Sequence, residues 1–233
     1  MERCDFLPVS AEEMHERGWW WYDALVVGGD AYVDHPSFGT AVISRVLEAE
    51  GLRVAVLAQP DWHDAEAFRA MGRPRLGVFI GAGNLDSMVA HYTAAKRRRS
   101  EDFYSPGKRS GCRPDRAAIV YCNRAREAFG PDMPIILGSL EASLRRFAHY
   151  DYWDDSVRRA ILFDAPADLL VYGMGEAATI EIAHRLKKKQ SVRTMTDIPG
   201  TGYITRDPSV CKFDHITLPS FEDVRDDKRL YAE

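Results

Sequence analysis

Cysteines are few in this sequence, and no two of them lie close together. The four are Cys4, Cys112, Cys122 and Cys211, scattered over 233 residues. Zinc and iron–sulfur sites usually take their ligands from closely spaced cysteine pairs or triplets, so we do not expect this chain to build a metal centre by itself. A core of this size needs no disulfides, and in the cytosol the thiols would stay reduced.

Long apolar runs are absent as well. No stretch approaches the roughly 20 residues that a bilayer-spanning helix needs, and the first residues lack the apolar core of a secretory signal. We therefore expect a cytoplasmic protein with no membrane partner. The net charge of −4 gives no overall attraction to nucleic acid, which makes nucleic acid an unfavoured partner.

Several catalytic motifs are also missing. No G-x-G-x-x-G follows the first apolar strand, and the sequence has no Walker loop, no H-E-x-x-H motif and no serine–histidine–aspartate elbow. The catalytic residues are therefore unknown from these motifs.

What the sequence does contain is a series of short apolar runs that end in glycine or a polar turn, with helical patterns between them. These runs cover residues 23–27, 54–58, 75–83, 134–138 and 167–173. The alternation predicts an α/β fold with a Rossmann-like or flavodoxin-like parallel sheet of about five strands and flanking helices. We expect an N-terminal arm (1–22), one α/β domain (23–192) and a C-terminal hairpin and linker (193–233), with hairpin-like character over 199–219.

Ligands of parallel sheets bind at the carboxyl ends of the strands, and two glycine turns are expected there. Gly138 and Ser139 follow the fourth run, while Gly173, Gly175 and Glu176 open a helix after the fifth. Glycine lets the backbone approach a ligand closely, and a helix N-terminus can face it. The alternative is that these glycines only tighten the turns.

The segment after the first strand has the Asp-to-Gly spacing of the corrinoid-binding pattern D-x-H-x-x-G. Pro36 stands where the histidine should be, and His35 comes one place early, so cobalt ligation by His35 is not favoured. The preferred interpretation is a loop shaped by Pro36 and Gly39, with Asp34 or Ser37 capping the next helix. Further along, Asp115 is expected to cap a later helix.

Residues 137–155 form a charged and aromatic segment just beyond a strand end. Loops on a rigid scaffold often carry function, so this segment is predicted to contact a substrate or a partner. The alternative is a salt-bridged surface turn in which Glu141 and Arg145, four residues apart, stabilise a helix. The candidate residues of this loop are Glu141, Arg145, Arg146, His149 and Tyr152.

A basic segment lies between Lys96 and Arg116 and could bind phosphate or RNA. A solvated loop is the favoured interpretation, because the chain as a whole is acidic.

Longer runs of the sequence resemble the N-terminal region of the YgiQ family of radical S-adenosylmethionine proteins. These runs are 29–39, 59–62, 83–89, 113–116, 141–146, 149–153 and 173–176, in this order and across nearly the whole chain. One departure is Ser139, which stands where a second glycine is expected after Gly138. Serine fits there if its backbone dihedrals are ordinary.

The resemblance implies a cobalamin-binding-type α/β domain followed by a radical barrel. In that family a C-x-x-x-C-x-x-C loop of the barrel holds a [4Fe–4S] cluster that cleaves S-adenosylmethionine. This triplet is absent from the sequence, so the resemblance covers only the front domain, which is expected to be inactive alone and to have the barrel as its partner.

By this resemblance the domain would position a substrate or a corrinoid, with cobalamin as a possible cofactor. The residues expected to line its pocket are Asp34, Ser37, Gly138, Ser139, Arg145, Arg146, Gly173, Gly175 and Glu176. Two alternatives remain open: a ligand-free interaction module built on the 145–153 loop, and a nucleotide or RNA binder that uses the 96–116 segment.

Overall fold

Apolar strands with both faces covered form the centre of the molecule. The computed structural model describes residues 6–232, within which a six-stranded sheet has the order β2-β1-β3-β4-β7-β8. The strands are β1 (Ala24–Gly28), β2 (Val54–Ala58), β3 (Gly77–Ile80), β4 (Ile135–Leu137), β5 (His149–Asp151), β6 (Ser156–Arg158), β7 (Leu169–Val171) and β8 (Thr201–Gly202). The first five strands of this order are parallel, which confirms the predicted parallel α/β sheet.

Helices cover both faces of the sheet. The α-helices are α1 (Ala11–Glu16), α2 (Gly39–Ala49), α3 (Glu66–Ala70), α4 (Ser87–His91), α5 (Ala117–Phe129), α6 (Ser139–Leu144), α7 (Glu176–Lys187), α8 (Phe221–Asp226) and α9 (Lys228–Ala232). Short 3-10 turns lie at Pro106–Lys108, Ile161–Phe163, Val192–Thr194 and Pro208–Val210. Helices α2 and α7 pack side by side on one face, and α3 and α5 pack together on the other.

Side chains alternate between the two faces along each strand, and the chain therefore has two cores. Val27 and Ile80 pack with α5 on one face, whereas Val26 and Phe79 pack with α2 and α7 on the other. Because both faces are covered, the strands read as continuous apolar runs with no polar residue at alternate positions. The parallel register places Val27 beside both Leu57 and Ile80, so the carboxyl ends of these strands lie along one edge.

Some helix starts are capped by side chains of the usual types. Ser10 caps α1, and Asp86 caps α4 through the N–H groups of Met88 and Val89. The predicted cap at Asp115 is wrong: Arg116 occupies the N-cap position of α5 with a φ of 52°. The Asp115 carboxylate instead binds the His91 ring and the Tyr92 hydroxyl.

The predicted cap of α2 by Asp34 or Ser37 is also wrong. Phe38 holds the N-cap position without a side-chain hydrogen bond. The Asp34 carboxylate pairs with Arg45, which lies in the second turn of the helix. The Gly39 N–H donates to Oδ1 of Asn84 at 3.2 Å. A residue distant in sequence thus supplies the cap.

The C-terminal segment does not pair with itself within the described residues, as a hairpin would require. Its short strand β8 instead pairs antiparallel with β7, Thr201 opposite Val171 and Gly202 opposite Leu170. The open edge of β7 offers unpaired N–H and C=O groups, which a nearby extended segment can satisfy. A true hairpin, which the sequence did not predict, joins β5 and β6.

The two ends of the described chain both pack on the domain. Near the N-terminus Leu7 is buried in the core, and the Val56 N–H donates to the Pro8 carbonyl at 2.9 Å. At the other end α8 packs against β6, and the Tyr150 N–H donates to the Tyr231 hydroxyl at 2.9 Å. The domain division at residues 22 and 192 stays a prediction. No helix between residues 6 and 232 combines the length and hydropathy that crossing a bilayer requires.

Gly29, directly after β1, provides a test of how tightly the strand ends pack. A Cβ atom added there would lie 2.0 Å from the carbonyl oxygen of Ala82, and backbone cannot move away cheaply. We expect Gly29→Ala to lower the free energy of unfolding by about 1–3 kcal/mol or more, measured by urea denaturation.

The matched control is Gly39→Ala, at the first residue of α2. A Cβ at Gly39 meets nothing within 4 Å, and alanine favours helix over glycine, so its stability should stay equal or rise slightly. Equal stabilities for the two variants would contradict this packing.

Candidate functional site

A cavity of about 300 Å³ lies at the carboxyl edge of the sheet, on the face covered by α2 and α7. Its floor comes from β1, β3, β4 and β7, through Val26, Phe79, Ile136 and Val171. Pro36, Thr40 and Ile43 line it from the α2 side, and Met174 and Thr179 from the α7 side. The cavity is therefore mostly apolar, and within the described part of the chain Glu176 is the one charged residue of its lining.

The structure gathers two of the predicted glycine turns at this cavity. Gly138 and Ser139, after β4, lie beside the turn that leads from β7 into α7. The predicted residues in the lining are Gly138, Ser139, Gly173, Gly175 and Glu176. Contact between these residues and a ligand stays a prediction.

Four other residues expected at the pocket do not line it. Asp34 pairs with Arg45, and Arg145 pairs with Asp86. The Ser37 N–H donates to Nδ1 of His35 at 3.1 Å, and the Ser37 carbonyl accepts from Asn84 at 2.9 Å. Arg146 lies over the Phe147 and Tyr172 rings. His35 is likewise absent from the cavity lining.

Gly138 and Gly175 keep the cavity open in different ways. A Cβ on Gly138 would meet only the Val171 carbonyl, at 3.7 Å, so a side chain there has room. On Gly175 a Cβ would lie 2.8 Å from Cγ1 of Val171. Glycine at 175 therefore lets the start of α7 sit close against β7.

Ser139 does not have the ordinary dihedrals that would make serine and glycine equivalent. Its φ is +71°, in the left-handed region that favours glycine. The Ser139 hydroxyl accepts the Ala82 N–H at 3.1 Å, which ties the end of β3 to the start of α6. Serine at this position therefore combines backbone strain with a hydrogen bond at the cavity wall.

A buried ion triad holds the loops next to the cavity. Nη1 of Arg113 lies 2.8 Å from Oδ1 of Asp30, and its Nη2 lies 2.9 Å from Oδ2 of Asp102. All three side chains are buried. Burial raises the pKa of the Asp30 carboxyl, and the Arg113 cation opposes this rise.

The triad joins loops that follow β1 and β3 to the long segment between α4 and α5. Oδ2 of Asp30 accepts the Asn84 N–H at 2.7 Å, and Nη1 of Arg113 donates to the Ala82 carbonyl at 3.2 Å. Gly83 has a φ of +109°, and a Cβ there would lie 2.2 Å from Oδ1 of Asp30. This packing leaves no room for a side chain at Gly83.

Sequence reasoning assigned no role to Asp30 and treated Arg113 only as part of a basic segment. Both lie within runs that resemble the YgiQ family, and Asp30 comes two residues after the end of the apolar strand β1, where a charged residue that no pattern explains is a usable signal. No spacing rule, however, links the two residues, because they are far apart in the chain.

Glu141, in the charged loop segment, is held in place by backbone hydrogen bonds to its carboxylate. It is buried on α6, where Oε2 accepts the Ser87 N–H at 2.9 Å and Oε1 accepts the Ala118 N–H at 3.1 Å. These donors belong to the first turns of α4 and α5, where a carboxylate is favoured. Burial raises the pKa of Glu141, and the nearby Asp86 adds to the rise. Arg145 binds Asp86 and the Glu141 carbonyl, so the expected side-chain pair of Glu141 and Arg145 is absent.

The rest of this segment is also held by internal contacts. Arg116 lies 2.7 Å from both Asp151 and Asp154, and the Tyr152 hydroxyl donates to the Ala94 carbonyl at 2.5 Å. His149 is half-buried beside a cavity of about 10 Å³, enough for one water molecule, and burial lowers its pKa. The alternative interpretation of residues 137–155, a salt-bridged surface turn, therefore describes much of this segment.

Several cations of the basic segment likewise have partners within the domain. Arg113 is buried in the triad, Lys96 donates to the Trp153 carbonyl at 3.1 Å, and Arg99 donates to the Val89 and Tyr92 carbonyls. These contacts leave fewer cationic side chains of the 96–116 segment free to bind phosphate. Residues 6–232 contain no group of three or more potential metal ligands, and Cys112, Cys122 and Cys211 are free thiols. Cys4 lies outside the described residues.

Sequence comparisons with known proteins cover nearly the whole chain. A family model described as Radical SAM N-terminal matches residues 6–233. A UPF0313 protein of Clostridium botulinum strain 657 is 55% identical over 233 residues, which are 100% of this chain and 36% of that protein. A UPF0313 protein of Clostridium perfringens strain SM101 is 52% identical and is covered over 35% of its length. The chain thus spans about a third of the length of these curated relatives.

One solved structure is similar at low identity. It is the radical S-adenosylmethionine methyltransferase TsrM from Kitasatospora setae, with cobalamin and a [4Fe–4S] cluster bound. The TM-score is 0.48 at 20% identity, and the match covers 78% of this chain and 27% of that one.

The left-handed backbone of Ser139 predicts an unusual order of stability. Ser139→Ala loses the hydrogen bond to Ala82 and keeps the strain, whereas Ser139→Gly loses the bond but relieves the strain. We expect the glycine variant to be more stable than the alanine variant by about 1 kcal/mol, as measured by urea denaturation. A more stable alanine variant would show that φ is not positive at this residue.

Removing Arg113 should leave two buried carboxylates without their cation. We expect Arg113→Met to lower the free energy of unfolding by about 3–5 kcal/mol. The control is Arg159→Met, which breaks a half-exposed pair with Asp164 and should cost less than about 1 kcal/mol.

The loss in Arg113→Met should depend on pH. Without the cation the native pKa of Asp30 rises further above its unfolded value of about 3.9, so the native state binds more protons than the unfolded state. Stability then falls as pH rises from about 4 through that raised pKa. Thermal unfolding should show a larger deficit against wild type at pH 8 than at pH 5; a deficit independent of pH would argue against a buried charge.

Proposed function

Since the chain belongs to the Radical SAM N-terminal family, we propose that it is a ligand-positioning domain that acts with a radical S-adenosylmethionine barrel and is not catalytic alone. The observation that carries this proposal is the apolar cavity at the carboxyl edge of the sheet. Parallel α/β sheets bind their ligands at this edge, and the cavity volume of about 300 Å³ is at the lower end of the range for small-molecule sites.

The lining indicates which chemical class of ligand would fit. A flat, largely apolar group can lie on Val26, Phe79 and Ile136, with hydroxyl groups at the wall for its polar edge. Those hydroxyls belong to Thr40, Ser139 and Thr179. Among residues 6–232 no cationic side chain lines the cavity, so these residues offer an anion no charged partner there.

A corrinoid fits this site only in part. The cavity can take a planar group of the size of a heteroaromatic base, while a whole corrin ring would have to lie outside it. His35, the nearest match to the histidine of the corrinoid pattern, does not line the cavity and accepts the Ser37 N–H instead. The residues of this site therefore supply walls and hydrogen bonds for a cobalamin, and no cobalt ligand.

The radical chemistry is assigned to the barrel. There a [4Fe–4S] cluster would cleave S-adenosylmethionine, and the residues described here offer that cluster no ligand set. The part played by this chain is to hold the ligand, to exclude water from its apolar face and to fix its orientation toward the barrel.

Cobalamin titration tests the proposal. We expect a change in the visible spectrum with micromolar affinity for the wild-type chain, because the cavity desolvates a planar part of the cofactor. Gly138→Leu should weaken binding about tenfold or more, since residue 138 lies on the same strand face as Ile136 and its side chain would enter the cavity.

The matched control is Gly202→Leu on the edge strand β8. A Cβ at Gly202 meets nothing closer than Leu170 at 3.9 Å, and Gly202 does not line the cavity, so binding should be unchanged. Absence of any spectral change for the wild type under base-off conditions would remove cobalamin as the ligand. Equal binding by both variants would remove the cavity as the site.

A further inference from the structure

Helix α6 leaves an apolar stripe exposed. Leu140 and Leu144 on the helix and Phe147 just beyond it are 45%, 60% and 53% exposed. The spacing of four residues places Leu140 and Leu144 on one side of the helix, and Phe147 lies three residues beyond the end of α6. The opposite side of the helix carries Glu141 and Ala142, which are buried. This stripe has the pattern of a core-facing surface, yet nothing within the described residues covers it.

The stripe continues to the mouth of the cavity. Arg146 lies 4.9 Å from the Phe147 ring centre and 5.1 Å from that of Tyr172. The Ser143 hydroxyl accepts the Gly173 N–H at 3.3 Å, which ties α6 to the turn after β7. Met174 in that turn is 86% exposed and lines the cavity.

Five exposed apolar residues thus lie on α6, just after it and in the turn after β7 that borders the cavity, and we call them the mouth face: Leu140, Leu144, Phe147, Tyr172 and Met174. Contiguous exposed apolar surface on a folded domain marks an interaction site. The mouth face carries no carboxylate, and Arg146, which contacts the Phe147 and Tyr172 rings, has no carboxylate partner among the described residues and donates to the Ser143 carbonyl. A matching surface would be apolar, with an acceptor or a carboxylate opposite Arg146.

We propose that the mouth face is the docking surface for the radical S-adenosylmethionine barrel of the same polypeptide, which closes the cavity when it docks. This inference rests on the proposed function. Relatives at 52–55% identity are covered over only 35–36% of their length, so most of such a polypeptide lies outside this domain. Because a covalently linked partner is present at high effective concentration, a docking surface of only these five residues suffices to hold it.

The position of the mouth face supports the barrel over other partners. A ligand in the cavity can be reached only through the opening, so whatever reacts with that ligand must come to this edge of the sheet. The neighbouring β5–β6 hairpin is already contacted by α8, and by α9 through Tyr150 and Tyr231. The five side chains of the mouth face are exposed within residues 6–232.

Cysteine accessibility tests the proposal in the complete polypeptide that carries this chain and the barrel. Leu144→Cys and Met174→Cys are labelled with a maleimide, and the labelled peptides are identified by mass. The control is Phe103→Cys, which is 74% exposed and does not line the cavity. We expect both mouth-face cysteines to react at least about tenfold more slowly than the control. Equal rates at all three positions would overturn the proposal.

A second variant separates docking from local misfolding. Phe147→Asp should restore fast labelling of Met174→Cys, because a carboxylate desolvated in an apolar interface weakens docking. Phe103→Asp should leave that labelling slow. Slow labelling that becomes fast on dilution would show that a second copy covers the face, and would overturn the assignment to the barrel.

The outcome is distinguishable from that of the proposed function. Cobalamin binding is measured on the cavity of this chain, without the barrel. Binding together with an accessible mouth face would remove the docking proposal alone, and a covered mouth face without ligand binding would remove the ligand proposal alone.

Discussion

The structure of the carboxyl edge of the sheet, where the cavity lies, depends on one buried cation, the guanidinium of Arg113. Arg113 forms ion pairs with both Asp30 and Asp102 at the point where the loops after β1 and β3 meet the long segment between α4 and α5. A buried charge is costly without partners, so these three residues have few alternative arrangements. Gly29 and Gly83 follow from the same constraint, because backbone and carboxylate occupy the space where their side chains would be.

The triad also decides where the cavity lies. Gln59 donates to the Gly29 carbonyl and to Ser105, and Ser105 donates to Asp102. This network fills the edge beyond β2 with protein. The open space lies over β1, β3, β4 and β7, between the first turns of α2 and α7. The mouth face borders that space, which joins the proposed ligand site and the proposed barrel interface in one region.

Local sequence patterns predicted the strands well where both faces of a strand are buried. The apolar runs at residues 54–58 and 134–138 became β2 and β4, since only continuous apolar strands can be covered on both faces. The β5–β6 hairpin was missed because its strands are short, polar and half exposed. Asp115 and Asp34 look like helix caps locally, but each found a stronger partner, His91 or Arg45, from another element.

The sequence by itself determined the parallel sheet, the glycine turns and the family resemblance, because these depend on residue type and short spacing. Only the tertiary structure decided that Gly138 and Gly175 share a cavity while Asp34 lies outside it. It also decided that Ser139 has a left-handed backbone and that Arg113 is buried between two aspartates. Contacts between residues distant in the chain carry no periodicity, so they arise only when the packed elements bring those residues together.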